Sequence, residues 1–110
     1  LLKLKKKLMS QVYSSSQACK ITGVTYRQLD HWIRIEVITP FINPKGSGKE
    51  RRFSFKDLID LRTAKCLFDI GINSGIIKNL DSDLLHFTSI HIKIDTEEIT
   101  DYVLRKIEEL

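Results

Sequence analysis

Three times along this chain a hydroxyl residue stands just after an apolar side chain and three positions before an acceptor. The sets are Tyr13-Ser14-x-x-Gln17, Val24-Thr25-x-x-Gln28 and Phe53-Ser54-x-x-Asp57. In each, the hydroxyl can accept from the third helical amide while the Gln or Asp side chain reaches back to the amide of the capping residue. The apolar residue ahead of each cap has a partner five positions on, Ala18, Leu29 and Leu58, to close a hydrophobic staple. Three helix starts are therefore set locally. The first helix is predicted from Ser15 to Ile21, where Gly23 can end it by taking a positive φ without steric cost. The second runs from Tyr26 to Ile35, with Leu29, Trp32 and Ile33 on its inner face and Tyr26, Arg27, Asp30, His31 and Arg34 outside.

Between Val37 and Phe53 the helical period is lost. Pro40 and Pro44 forbid helix, and Asn43-Pro44-Lys45-Gly46-Ser47-Gly48-Lys49 separates Ile38, Phe41 and Ile42 from Arg51-Arg52-Phe53. A two-stranded hairpin with a long basic loop is the expectation. Ser54 then caps the longest helix, which should carry Leu58, Ile59, Leu61, Ala64, Leu67 and Phe68 inward and end at Gly71. A short helix is expected from Ser74 to Leu80, with Asn73 as its cap.

Asp81-Ser82-Asp83 breaks the pattern, and the alternation in Ile90-His91-Ile92-Lys93-Ile94 suggests a short strand whose partner the sequence does not reveal. A last helix over 96–110, capped by Asp95 or Thr96, presents Ile99, Val103, Ile107 and Leu110 as a stripe. Two coverings are open for that stripe: the chain's own domain, or the same helix of a second chain forming a dimer. The organisation expected is a basic N-terminal arm over 1–12, one domain over 13–80 and a C-terminal segment over 81–110.

Charge is divided as sharply as pattern. Residues 1–56 carry twelve bases against three acids, a balance of +9, whereas residues 57–110 carry six against eleven, a balance of −5. A basic head on an acidic tail points to a polyanion at one end of the molecule. With 42% apolar and 29% charged residues, the chain is neither disordered nor fibrous. It has no apolar run long enough for a bilayer and no secretory leader, so a cytoplasmic location is expected. Because the sequence opens on Leu1, it reads as a fragment or processed form, with Met9 a candidate native start.

Cys19 and Cys66 fall on predicted core faces without C-x-x-C spacing, which suits a small buried hydrophobe in a reducing compartment. His86 and His91 lie five apart, the wrong interval for one helix face, and no cysteine joins them, so no metal site and no cofactor are expected. Nor does any nucleophile, base and oxyanion set of an enzyme stand out.

Two capped helices hinged at a glycine, followed by a basic hairpin, make a mainly α fold with a small β-hairpin wing. That is a winged helix-turn-helix plus a short C-terminal segment. In such a fold the second helix enters the major groove of double-stranded DNA. Tyr26, Arg27 and His31 are the candidates for base edges, Arg27 foremost because its guanidinium fork matches guanine O6 and N7. Ser14, Thr25, Arg34, Lys45, Lys49, Arg51 and Arg52 are the candidates for the phosphate backbone.

These residues resemble a known family. The run Tyr13-Ser14-x-x-Gln17-Ala18-Cys19-x-Ile21-Thr22-Gly23-Val24-Thr25, the step Val37-Ile38-Thr39-Pro40 and the run Arg51-Arg52-Phe53-Ser54-Phe55-Lys56-Asp57-Leu58 are similar to the N-terminal domain of MerR-type bacterial transcriptional regulators. The resemblance covers Tyr13 to Leu80. It implies a homodimer on a near-palindromic promoter, the wing on the backbone and a C-terminal helix in an antiparallel coiled coil, with RNA polymerase or another protein as a further partner. This chain departs from the family at Asp30-His31-Trp32, where many members read Arg-Tyr-Tyr, and Tyr26-Arg27-Gln28-Leu29-Asp30-x-Trp32 looks like a smaller subgroup. The implied function is sequence-specific transcription regulation. The alternatives are an excisionase-like architectural DNA-binding protein and a winged-helix protein-interaction adaptor.

Overall fold

All three capping boxes close. Ser14, Thr25 and Ser54 each accept from the amide three residues on at 3.1 Å, and Gln17, Gln28 and Asp57 return the bond at 2.9–3.0 Å. The computed structural model describes residues 2–44, 50–73, 84–86 and 91–110. Within them the elements run α1 (Leu2–Ser10), α2 (Ser15–Thr22), α3 (Tyr26–Arg34), α4 (Phe55–Asp69), β1 (Leu84–His86), β2 (His91–Lys93) and α5 (Thr96–Glu108). The helix expected over 74–80 lies outside the described residues.

The staple residues do more than fix entry angles. All six are buried, and Tyr13 and Phe53 also pair as an antiparallel bridge, each amide donating to the other's carbonyl at 2.8 Å. The N-termini of α2 and α4 are thereby pinned side by side. Around them the core gathers Ala18 and Ile21 from α2, Leu29, Trp32 and Ile33 from α3, Leu58, Leu61, Ala64 and Leu67 from α4, and Val103 and Ile107 from α5. At roughly 25 cal/mol per Å² of apolar surface removed from water, such side chains supply the main favourable term in folding.

Two turns set the helix order. Gly23, at φ 81°, ends α2 with its amide on the Cys19 carbonyl, and α3 follows at once. At the far end of α3 the same left-handed step is made without glycine: Glu36 stands at φ 62° while the Val37 amide reaches back to the Trp32 carbonyl at 2.8 Å. That conformation costs a β-carbon-bearing residue on the order of 1–2 kcal/mol. Glu36→Gly is therefore expected to stabilise the chain, by about 0.5–1 kcal/mol once the extra freedom of the unfolded glycine is subtracted. An unchanged or lowered urea midpoint would refute the strain.

Several expectations need correction. The arm over 1–12 is helical across Leu2–Ser10, lies near α4 and α5, and is anchored where the Tyr13 hydroxyl donates to the Leu8 carbonyl at 2.8 Å. Among the described residues of the hairpin expected over Val37 to Phe53, no strand forms. Among the described residues there, Ile42 and Arg52 make one antiparallel bridge at 3.0 and 2.9 Å. Pro40 and Pro44 have no amide to offer a ladder, and the Phe41 amide between them donates to Asp57 Oδ2 at 2.8 Å instead.

The strand expected at Ile90–Ile94 is β2, and its partner is β1, in antiparallel register with Leu85 opposite Ile92. Phe68 does not enter the core: it is 44% exposed, its ring edge-on to Trp32 with centroids 5.8 Å apart. Cys19 and Cys66 are half-buried rather than buried.

The α5 stripe is covered from within. Val103 and Ile107 are buried in the single chain, Ile99 packs partly against the same core, and α5 lies against α2 and α4. Leu110 alone of the four is exposed. Val103 and Ile107 are consequently not free to form a two-helix seam with a second copy. Arg62, unremarked in the sequence, ties these helices together: its Nη1 donates to the Thr22 carbonyl at the end of α2 at 3.0 Å, and its guanidinium lies 3.7 Å above the Tyr102 ring of α5.

Candidate nucleic-acid interface

The face of α3 opposite its core stripe is polar and open. Burial of Leu29, Trp32 and Ile33 fixes the helix's rotation, and that rotation turns Tyr26, Arg27, Asp30, His31 and Arg34 to solvent. All five line one shallow depression on the outer side of α3, together with Trp32 and Phe68. Tyr26 is 60% exposed at the first helical position, and Arg27 is exposed beside it, the region of a second helix that meets base edges in a helix-turn-helix.

The segment leading into α4 comes to the same face. Arg51 Nη1 lies 3.3 Å from Asp30 Oδ1, and Arg34 Nη2 lies 2.9 Å from Asp30 Oδ2, so one carboxylate joins two guanidiniums from segments far apart in sequence. The bonds to Arg34 and Arg51 hold the Asp30 carboxyl below the ordinary carboxylate range. Arg51 is the more enclosed of the two arginines, and its Nε is buried without a hydrogen-bond partner among the described residues. Arg52 Nη1 donates to the Arg51 carbonyl at 3.0 Å.

Of the other candidates, Ser14 and Thr25 use their hydroxyl oxygens as helix caps, which places them at the N-termini of α2 and α3. Lys45 and Lys49 lie outside the described residues. Sequence reasoning put Asp30 on the outer face but did not find its role, because the contact that defines it crosses from Asp30 to Arg51. The signal available was that Asp30 is the lone acid of α3, between Arg27 and Arg34. Asp57 was read as a cap only, yet its Oδ2 also accepts from Phe41 and so pins the stem of the basic loop onto α4.

Among the described residues no three His, Cys, Asp or Glu side chains gather where they could hold a metal ion. No helix among the described residues is long and apolar enough to cross a membrane.

Comparison with known proteins identifies the family. The chain is 47% identical over 62 residues to proteins described as uncharacterized HTH-type transcriptional regulators in Mycobacterium bovis and in two strains of Mycobacterium tuberculosis. The match takes in 56% of this chain and 28% of each relative, so the chain spans well under half the length of those proteins. Residues 13–84 match the profile of the MerR HTH family regulatory proteins. With its paired capped helices, its glycine-hinged turn and that match over more than half its length, the chain belongs to the MerR helix-turn-helix family of regulatory proteins.

Proposed function

We propose that this chain reads a duplex DNA operator as part of a transcription regulator, with α3 in the major groove and the basic loop before α4 on the backbone. The observation that carries the reading is the docking of Arg51 onto the outer face of α3, which makes one cationic surface from two segments. Arg27, with Tyr26 and His31, faces the base edges. Arg34, Arg51 and Arg52 take phosphates, with Lys45, Lys49 and the two cap sites, Ser14 and Thr25, completing the backbone set. The loop acts as a wing, stiffened at its stem by the Ile42–Arg52 bridge.

A homodimer on an inverted repeat belongs to the same reading, with recognition helices about one helical turn, roughly 34 Å, apart. Since Val103 and Ile107 are internal, that dimer is held by other surfaces.

Selection of bound duplexes from a random pool tests the proposal directly: a motif with mirrored half-sites is expected. Arg27→Ala should erase the preference at one base pair, a loss of about 1–3 kcal/mol of discrimination. Arg51→Ala with Arg52→Ala should instead weaken binding to every sequence and flatten the log–log salt dependence by about 0.9 per phosphate contact removed. Equal losses on selected and random DNA for Arg27→Ala would remove the base-reading role. Absence of any retarded duplex at low salt would replace DNA reading with the adaptor function.

A further inference from the structure

A carboxylate in the middle of a surface offered to a polyanion is a cost unless something compensates it, and Asp30 is compensated twice. Its Oδ2 accepts from Arg34 one helical turn on, and its Oδ1 from Arg51 on the loop stem. Both oxygens are thus engaged within the protein, and the two guanidiniums neutralise the charge that a carboxylate on this helix would otherwise turn to a cytosine amine. Each guanidinium carries five N–H donors, and the clamp uses one from each, leaving others for phosphate oxygens, the buried Nε of Arg51 excepted.

We propose that Asp30 is a positioning residue that sets the ratio of specific to random DNA binding, by clamping Arg51 of the loop stem to Arg34 of α3 across the reading face. The proposal rests on the DNA-reading function above and deepens it. Two effects follow from the one carboxylate. It removes a unit of positive charge from the face, which weakens attraction to any duplex regardless of sequence. It also holds two otherwise long and mobile side chains at a set spacing, so that a duplex presenting phosphates at that spacing binds them without further ordering. Arg51 fits this role because only 18% of its side chain is exposed, so its guanidinium is already half-withdrawn from solvent before DNA arrives.

The experiment uses the full chain with two probes, the duplex recovered from the random pool and a random-sequence duplex of the same length. Asp30→Asn keeps the side chain's size and removes its charge. Random-duplex binding should then tighten several-fold at low salt, with its log–log salt slope steeper by about 0.9. The specific-to-random ratio should fall by about threefold to tenfold. Asp30→Glu, which keeps charge and reach, should recover most of the ratio. The melting temperature should fall only slightly, because the pair with Arg34 is exposed on both sides and Asn Oδ1 can still accept from the more enclosed Arg51.

In an Arg51→Gln background, Asp30→Asn should lower the ratio no further, since the clamp has already lost one arm. An unchanged ratio in Asp30→Asn overturns the proposal, as does an equal fall in the Arg51→Gln background. A lowered melting temperature with parallel losses on both probes would make Asp30 structural only. A parent chain that binds neither probe overturns the DNA-reading function and this proposal together, whereas binding by the parent with an unaltered ratio in the variant overturns only this one.

Discussion

Trp32→Ala is expected to lower the stability of the chain by about 3–5 kcal/mol, the cost of deleting a large ring from a packed interior. That is a large share of the roughly 5–15 kcal/mol by which domains of this size are stable at all. Trp32 is 2% exposed and one of the largest fully buried side chains, and its carbonyl also receives the Val37 amide that closes the turn after α3. The consequence is functional as well as energetic. Rotation of α3 is set by Leu29, Trp32 and Ile33, so a void under the middle of the three frees the outer face to roll and separates Asp30 from Arg51. Urea unfolding followed by circular dichroism measures the stability; fluorescence will not serve, because Trp32 is the sole tryptophan. Trp32→Phe should restore much of the loss. A change below about 1 kcal/mol in Trp32→Ala, well under the range for core aromatics, would mean that Trp32 does not hold the helix.

What could be read from the residues alone follows a physical division between local and distant causes. The capping boxes are contacts over three residues, and the staples over five, so Ser14, Thr25 and Ser54 announced α2, α3 and α4 nearly to the residue. The end of α3 was harder to place, since the left-handed step falls on Glu36 and no glycine marks it. Phe68 shows the limit of periodicity: its spacing from Leu61 and Ala64 is helical, but the buried line of α4 passes through Leu58, Leu61, Ala64 and Leu67, leaving Phe68 at its edge beside Trp32.

Distant causes were not legible. The α5 stripe was visible as a pattern, but only its docking against α2 and α4 decides that it is covered from within. Arg62 reads in the sequence as one more base on a helix. Its role needs the Thr22 carbonyl and the Tyr102 ring to arrive from either side, forty residues away in each direction. The interface divides in the same way: Tyr26, Arg27 and His31 were placed by the turn of one helix, whereas the clamp through Asp30 depends on the fold bringing Arg51 back to it.

Asp57→Ala should cost about 2–4 kcal/mol, because it removes one carboxylate that accepts two amide hydrogen bonds in a largely enclosed place. Asp57 is 8% exposed, and its Oδ2 receives Ser54 N at 2.9 Å and Phe41 N at 2.8 Å. The first bond belongs to the capping box, and its negative charge also sits favourably in the first turn of α4. The second is the anchor of the basic loop, whose stem has few other fixed points because Pro40 and Pro44 donate nothing. Losing Asp57 therefore acts on function through the loop: Arg51 and Arg52 keep their charge but lose a defined position. Random-duplex binding should hardly change, while selected-duplex binding weakens in a protein kept folded well below its new midpoint. Asp57→Asn, which can still accept at one oxygen, should lie between parent and alanine. Amide exchange at Phe41 reports the anchor itself and should speed up in Asp57→Ala more than exchange in the α2 core. Uniform acceleration through α2 and α4 would instead mean that Asp57 serves the cap alone.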